Sequence, residues 1–236
     1  MENPGTIERK RTSLGRLAAS VASLPDSGYC SLMSAAGAGT TVDPLRIALL
    51  VRTVDWADEE TTPDAARRST AHVHAALEGG FTTSTPFVAA VEGALRSAQA
   101  ATASTQDYFS ACAALLSGRQ VTIAALGYVR AWLVRGDVFS ALIEPHIRPP
   151  NPRPGASVGL LASIGAGDSL DQTRFAEVVL GPGDAVLITM SGELDEMPAA
   201  DPSGVSMPEA LLRRIQPVGM EPAIIVVVGG EPDVSS

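Results

Sequence analysis

The stretch LGPGDAVLITMSGEL, Leu180–Leu194, decides how the rest of the chain is read. Gly181-Pro182-Gly183-Asp184 joins the strongest turn formers in one tetrad. The residues after it, Ala185–Met190, form an apolar run broken only by Thr189, the pattern of a strand buried on both faces. Arg174–Leu180, just before the turn, is a second strand candidate. Two strands joined by a tight turn, one fully buried, predict a layered sheet protein.

The next turn-punctuated stretch upstream is ALLSGRQVTIAALGYVRAWLVRGD, 114–137. Here the chain predicts strands at Tyr108–Leu116, Gln120–Leu126, Val129–Val134 and Val138–Ile143, joined by tight turns as an antiparallel meander. Residues 145–156, PHIRPPNPRPGA, contain five prolines and predict a surface loop. From Leu45 the run RIALLV predicts a buried strand, followed by the acidic loop VDWADEETTPD. Helices are predicted over Ala65–Leu77 and Pro86–Ala103; in the second, Val88, Val91, Leu95 and Ala98 recur at helical spacing. Downstream, Met207–Ile215 predicts a helix and Ala223–Val228 a last central strand. Helices and antiparallel strands fall in blocks, which predicts an α+β fold and argues against a doubly wound sheet.

Residues 1–24 read as an N-terminal extension, with a short helix at Ser13–Leu24. The main domain is expected over 25–231, with a tail at 232–236.

Composition limits the function classes. The chain has 236 residues, 26 acidic against 17 basic, and a formal charge of −9. That balance argues against gripping nucleic acid or docking on anionic lipid. Hydrophobic residues make up 45%, too many for a disordered chain, and aromatics only 4%, so Ala, Val, Leu and Ile must build the core. The two cysteines, Cys30 and Cys112, are too few for a disulfide framework. No run approaches a membrane span and the start lacks a secretory h-region, so a cytoplasmic location is expected.

Several strings, taken in order, resemble the PPM (PP2C-like) family of metal-dependent Ser/Thr protein phosphatases, over roughly 28–230. LGPGDAVLITMSGEL resembles the family's P-G-D, apolar strand, S-D-G-L. In 114–137, Gly127, Arg130, Ala131, Trp132 and Leu133 match G-D-S-R-A-Y-L in register. EPHI, 144–147, resembles the D-H-S segment, and MEPAIIVVV, 220–228, the closing D-N strand. The resemblance implies a PP2C-like α-β-β-α sandwich: two antiparallel sheets face to face, flanked by helices. It also implies two Mn2+ or Mg2+ ions held by carboxylates at one end, which activate a bridging water, and an early Arg that grips the phosphate.

Those ligand positions can be compared one by one. Hard divalent ions need oxygen ligands, chiefly carboxylates, and two close together need several. On GYCSLMSAA, Gly28–Ala36, the family's Arg becomes Ser31 and its acidic pair Ala35-Ala36. The D-G element reads Asp55-Trp56. The Asp of G-D-S-R becomes Tyr128, followed by Val129. S-D-G becomes Ser191-Gly192-Glu193, and D-N becomes Glu221-Pro222. Only Asp55 matches in kind, with Glu221 a longer acid; these two are the candidate vestigial metal ligands. No residue is assigned a catalytic or cofactor-binding role.

The other features read as structural. Asp58, Glu59, Glu60, Glu193 and Asp195 suit a solvated acidic rim. His72 and His74, two apart on a helix, face different ways and cannot share an ion. His146 reads as structural, the G-x-G at Gly165–Gly167 is too short for a dinucleotide fingerprint, and Ser191 lacks a recognisable His/Asp partner. The expectation is a pseudophosphatase that binds a phosphoprotein or a Ser/Thr kinase and needs no cofactor. The alternatives are a divergent Mn2+/Mg2+-dependent phosphatase with rearranged ligands, and a scaffold subunit of an assembly.

Overall fold

The computed structural model describes residues 8–14, 17–23, 28–35, 45–54, 63–81, 86–102, 108–136, 138–148, 159–160, 162–166, 169–190 and 223–229. Three strands open the chain: β1 (Glu8–Leu14), β2 (Leu17–Ser23) and β3 (Gly28–Ala35). Then come β4 (Leu45–Val54) and the helices α1 (Pro63–Gly80) and α2 (Phe87–Ala101). After them run β5 (Tyr108–Ser117), β6 (Gln120–Leu126), β7 (Arg130–Arg135) and β8 (Val138–Ile143). Short β9 (Ile147–Arg148) and β10 (Gly159–Leu160) precede a 3-10 turn, Ser169–Gln172. Finally come β11 (Arg174–Val179), β12 (Ala185–Thr189) and β13 (Ala223–Gly229).

Two antiparallel sheets result, of order β1-β2-β13-β12-β7-β8 and β11-β6-β5-β4-β3, with β9 and β10 paired apart. Side chains alternate along each strand, so every inner strand serves two layers. Cys112, Ala114, Leu116, Ile123 and Ala125 of the five-stranded sheet meet Ala131, Leu133, Val186 and Ile188 of the other in one core. The opposite face of the five-stranded sheet, with Leu49, Val51, Ala111, Ala113, Ala124 and Leu126, packs on Val73, Leu77, Val91 and Leu95 of the helices. This is the expected α+β architecture. The core is aliphatic, as the low aromatic content required, and Phe109 is its large fully buried ring.

Small residues let the helices close on each other. A Cβ at Gly80 would collide with the backbone of Ala94. The buried face of α2 is Ala90, Val91, Ala94, Leu95 and Ala98; Val88, expected on that face, is 47% exposed.

Three expectations are corrected. The segment Ser13–Leu24, expected as a helix in a loose extension, contributes to a β-hairpin, and β2 pairs with β13 from Leu17 to Ser23. LAASVAS is small and weakly patterned, so its strand state is set by β13 and not by its own periodicity. Second, the four strands from Tyr108 are not one meander. β5–β6 form a hairpin in the five-stranded sheet and β7–β8 a hairpin in the six-stranded one. The chain crosses between sheets at Gly127–Val129, turned by Gly127 at φ +92°. Third, the proline-rich loop is bordered by regular structure: Ile147 pairs with Leu160 and Arg148 with Gly159. The helix expected at Met207–Ile215 lies outside the described residues.

The LGPGD link makes the same crossing, from the five-stranded to the six-stranded sheet, at the opposite end, between β11 and β12. Asp184 Oδ2 accepts the Gly181 N–H at 2.8 Å and meets Arg135 Nε at 3.1 Å. Arg119, in the β5–β6 turn, donates Nε to the Leu180 carbonyl at 2.8 Å, while the Leu180 N–H donates to the Arg119 carbonyl at 2.8 Å. The Gly181 hydrogen bond, joined by Arg135 and Arg119, holds the Asp184 carboxyl below its usual range.

Candidate functional site

Register divides the sandwich into two ends. At one end are the turns at Gly118, Gly136 and Gly183. The other end collects Ser23, Gly28, Val54, Tyr108, Leu126, Arg130, Ile143, Arg174, Thr189 and Ala223, through the pairs Ser23–Ala223, Thr189–Arg130, Gly28–Arg52, Val54–Tyr108 and Arg174–Ala125. Here the chain passes between sheets, from β6 to β7.

The crossing itself is tightly held. Ser110, buried on β5, accepts the Tyr128 N–H on its hydroxyl at 2.8 Å. A Cβ at Gly127 would stand 2.5 Å from that hydroxyl, so only glycine fits beneath the strand. The Gly127 carbonyl accepts from both Val129 N–H and His146 N–H at 3.0 Å. His146 is 4% exposed, and its Nε2 lies 2.7 Å from the Gln172 carbonyl. Arg174 donates to the Glu144 carbonyl. Burial, with Arg174 nearby, pushes the His146 pKa below its ordinary 6.5, which keeps the ring neutral. His146 thus fastens the segment after β8 to the 3-10 turn and the crossing, the structural part expected of it.

The metal fit can be judged at the one ligand position that is described. Where the resemblance implies an Asp, the chain has Tyr128, and Val129 after it is buried in the intersheet core. Tyrosine supplies no carboxylate, the ligand that hard Mn2+ and Mg2+ ions chiefly use. Among the described residues no group of three or more His, Cys, Asp or Glu stands close enough to hold an ion. At this position the chain therefore offers no carboxylate to an ion.

Asp55, Glu221, Gly192 and Glu193 lie outside the described residues. Their neighbours in sequence, Val54, Ala223 and Thr189, all stand at the crossing end. The match of Ala35 to the family's acidic pair does not hold: Ala35 pairs with Leu45 at the far end of β3, about 23 Å from Gly28 at roughly 3.3 Å per residue, while Ala36 lies outside the described residues. Ser31, matched to the phosphate-gripping Arg, pairs with Leu49 in mid-strand. The acid overlooked in the sequence is Asp26, in the four residues linking Ser23 to Gly28, both at the crossing end; it too lies outside the described residues. The signal for it was an acidic turn, Pro25-Asp26-Ser27, directly before an apolar strand.

Among the described residues the remaining candidates form no group of possible ligands. His72 is exposed, while His74 is buried with Nε2 3.8 Å from Glu78. Cys112 is buried in the intersheet core, where desolvation raises its thiol pKa and makes it unreactive. Gly165, at φ +98°, donates its N–H to Gln99 Oε1 at 2.8 Å, beside an Ile164–Phe109 bridge: a packed loop and no phosphate cradle.

No family model matches the sequence, and no curated protein matches it. Solved structures do. The serine/threonine phosphatase of S. agalactiae is 12% identical with a TM-score of 0.65, covering 96% of this chain and 99% of that one. The PPM Ser-Thr phosphatase MsPP of Mycobacterium smegmatis, solved with cacodylate, is 13% identical with a TM-score of 0.56, covering 93% and 100%. PppA of Pseudomonas aeruginosa, described as a key regulatory component of T6SS, is 15% identical with a TM-score of 0.54, covering 86% and 97%. The chain has the PPM-type phosphatase fold, in a divergent form. No helix among the described residues is long and apolar enough to cross a membrane.

Proposed function

We propose that this protein is a PPM-fold pseudophosphatase that works by binding a partner, a phosphoprotein or a Ser/Thr kinase, with little or no hydrolysis. The carrying observation is the crossing at Gly127–Val129. Its backbone is held by Ser110 and His146 as a rigid feature, yet it presents Tyr128 where the family sets an Asp. Gly192 extends the same loss to a second ligand position. The losses fall on the chemistry and spare the framework of turns and sheets. Structural neighbours described as Ser/Thr phosphatases and as a regulatory component support a role in phospho-signalling. Calorimetry with Mn2+ and Mg2+ at millimolar concentration tests it: no heat of specific binding is expected, and a stoichiometric two-ion isotherm would overturn it.

One observation favours a second reading. The links and strand ends at the crossing end adjoin three acids, Asp26, Asp55 and Glu221. These would be the ligands of a rearranged Mn2+ or Mg2+ site in a divergent Ser/Thr phosphatase. A single-site isotherm abolished by Asp26→Asn and Asp55→Asn would support that reading over the first.

A further inference from the structure

The edge of the six-stranded sheet at β1 carries a basic run that starts one residue from the crossing end. β1 ends the strand order, so its outer edge has no sheet partner among the described strands. It pairs with β2 through all seven residues without a bulge, and β2 pairs with β13 along its length. The result is a straight, anchored edge about 23 Å long, at roughly 3.3 Å per residue. Arg9, Lys10 and Arg11 occupy consecutive positions in it. Their cross-strand neighbours are Ala22, Val21 and Ser20 on β2, and beyond these Ile224, Ile225 and Val226 on β13. Glu8 precedes the run on β1, and no acid stands at a cross-strand position opposite Arg9, Lys10 or Arg11, so the segment stays net basic. This basic segment belongs to a chain of net charge −9.

We infer that the outer edge of β1 takes an extended acidic segment of a partner protein as an added strand. An unpaired edge supplies main-chain hydrogen bonds to any extended peptide, and charge then selects which one. In a chain of net charge −9 a basic run concentrates attraction for an acidic segment at this edge. A second copy of the chain is the wrong occupant. Antiparallel self-pairing centred on Lys10 sets Arg9 against Arg11, and like charges directly opposite destabilise a sheet. A lysine on an edge strand also guards against indiscriminate pairing. A guard alone would reject acidic and basic strands alike, and this is what an experiment can separate. The inference narrows the partner class of the proposed function, but an active phosphatase could use the same edge.

The full chain is titrated against fluorescent peptides of about seven residues, long enough to span one strand. One alternates Glu and Val, one alternates Lys and Val, and one is the Glu/Val peptide with alternate backbone nitrogens methylated. The expected result is saturable anisotropy with the Glu/Val peptide alone, weakening severalfold between roughly 50 and 200 mM salt. The variant R9Q/K10Q/R11Q should weaken it at least about tenfold, roughly the loss of 1.4 kcal/mol. Thermal melting checks that the variant is folded, and K10Q alone, the milder change, should show a smaller loss in the same direction. Absence of binding, equal binding of the Lys/Val or methylated peptide, or equal binding by the folded triple variant would each overturn the inference. So would equally tight binding of a DNA oligonucleotide or of anionic vesicles. Turnover of an aryl phosphate, measured on the same sample, reports separately on the proposed function.

Discussion

Ser110 shows how a single hydroxyl can shape the candidate site without touching a ligand. It accepts the Tyr128 N–H and lies against Gly127, so it sets both the conformation and the identity of the crossing residue. Ser110→Ala should cost about 1 kcal/mol by leaving a part-buried donor unmatched. Gly127→Ala should cost more, about 2 kcal/mol or above, because it combines a positive φ with a collision. Urea unfolding of both variants reads these values, and the reverse order would contradict the account. His146 makes a pH-dependent contribution. Its folded pKa is depressed, so the native state binds fewer protons than the unfolded chain just below 6.5. Its stabilisation is therefore complete above about 6.5 and lost as pH falls through the folded value. The charged groups on the elements around it are Arg174 on β11, Asp171 in the 3-10 turn and Glu144 beside its own strand; of these Arg174 disfavours the imidazolium. Unfolding measured from pH 7.5 to 5 should show wild type losing stability across this window more steeply than His146→Gln; identical slopes would refute the assignment.

Elements differ in how much of them could be read from the residues alone. The strand after LGPGD was legible because an unbroken apolar run beside a Pro-Gly turn has few other meanings. α1 and α2 were legible from spacing, apart from Val88. The β1–β2 hairpin was not, because its strand state depends on β13, some two hundred residues later in the sequence. The break between the β5–β6 and β7–β8 hairpins was hidden for a similar reason. Gly127–Val129 looks like an ordinary turn until Ser110, on another strand, is seen to hold it. At the site, the position of Tyr128 relative to the strand ends followed from motif order. The match at Ala35 failed because motif order carries no strand direction, and its pairing with Leu45 puts it at the wrong end. The helix pair gives a paired prediction at this scale. Gly80 faces Ala94 backbone while Gly79 has open space around its missing Cβ. Gly79→Ala should stabilise by about 0.5 to 1 kcal/mol through helix propensity, whereas Gly80→Ala should destabilise by about 1 to 3 kcal/mol through overpacking. Matching melting shifts for the two would show that α1 and α2 do not approach as described.

At the scale of the whole molecule, the PPM-type two-sheet framework has Tyr128 at the crossing end, where the resemblance implies an Asp. The chain carries a surplus of nine negative charges, and several of its acids lie outside the described residues. The acids adjoining the crossing end, Asp26, Asp55 and Glu221, are what an active site would have to use. The most direct measurement is turnover of a phosphopeptide and of an aryl phosphate by the full chain with Mn2+ or Mg2+, beside Asp55→Ala. The account predicts no release of phosphate above the Asp55→Ala background, with the phosphopeptide remaining intact. Metal-dependent turnover that disappears in Asp55→Ala would contradict it.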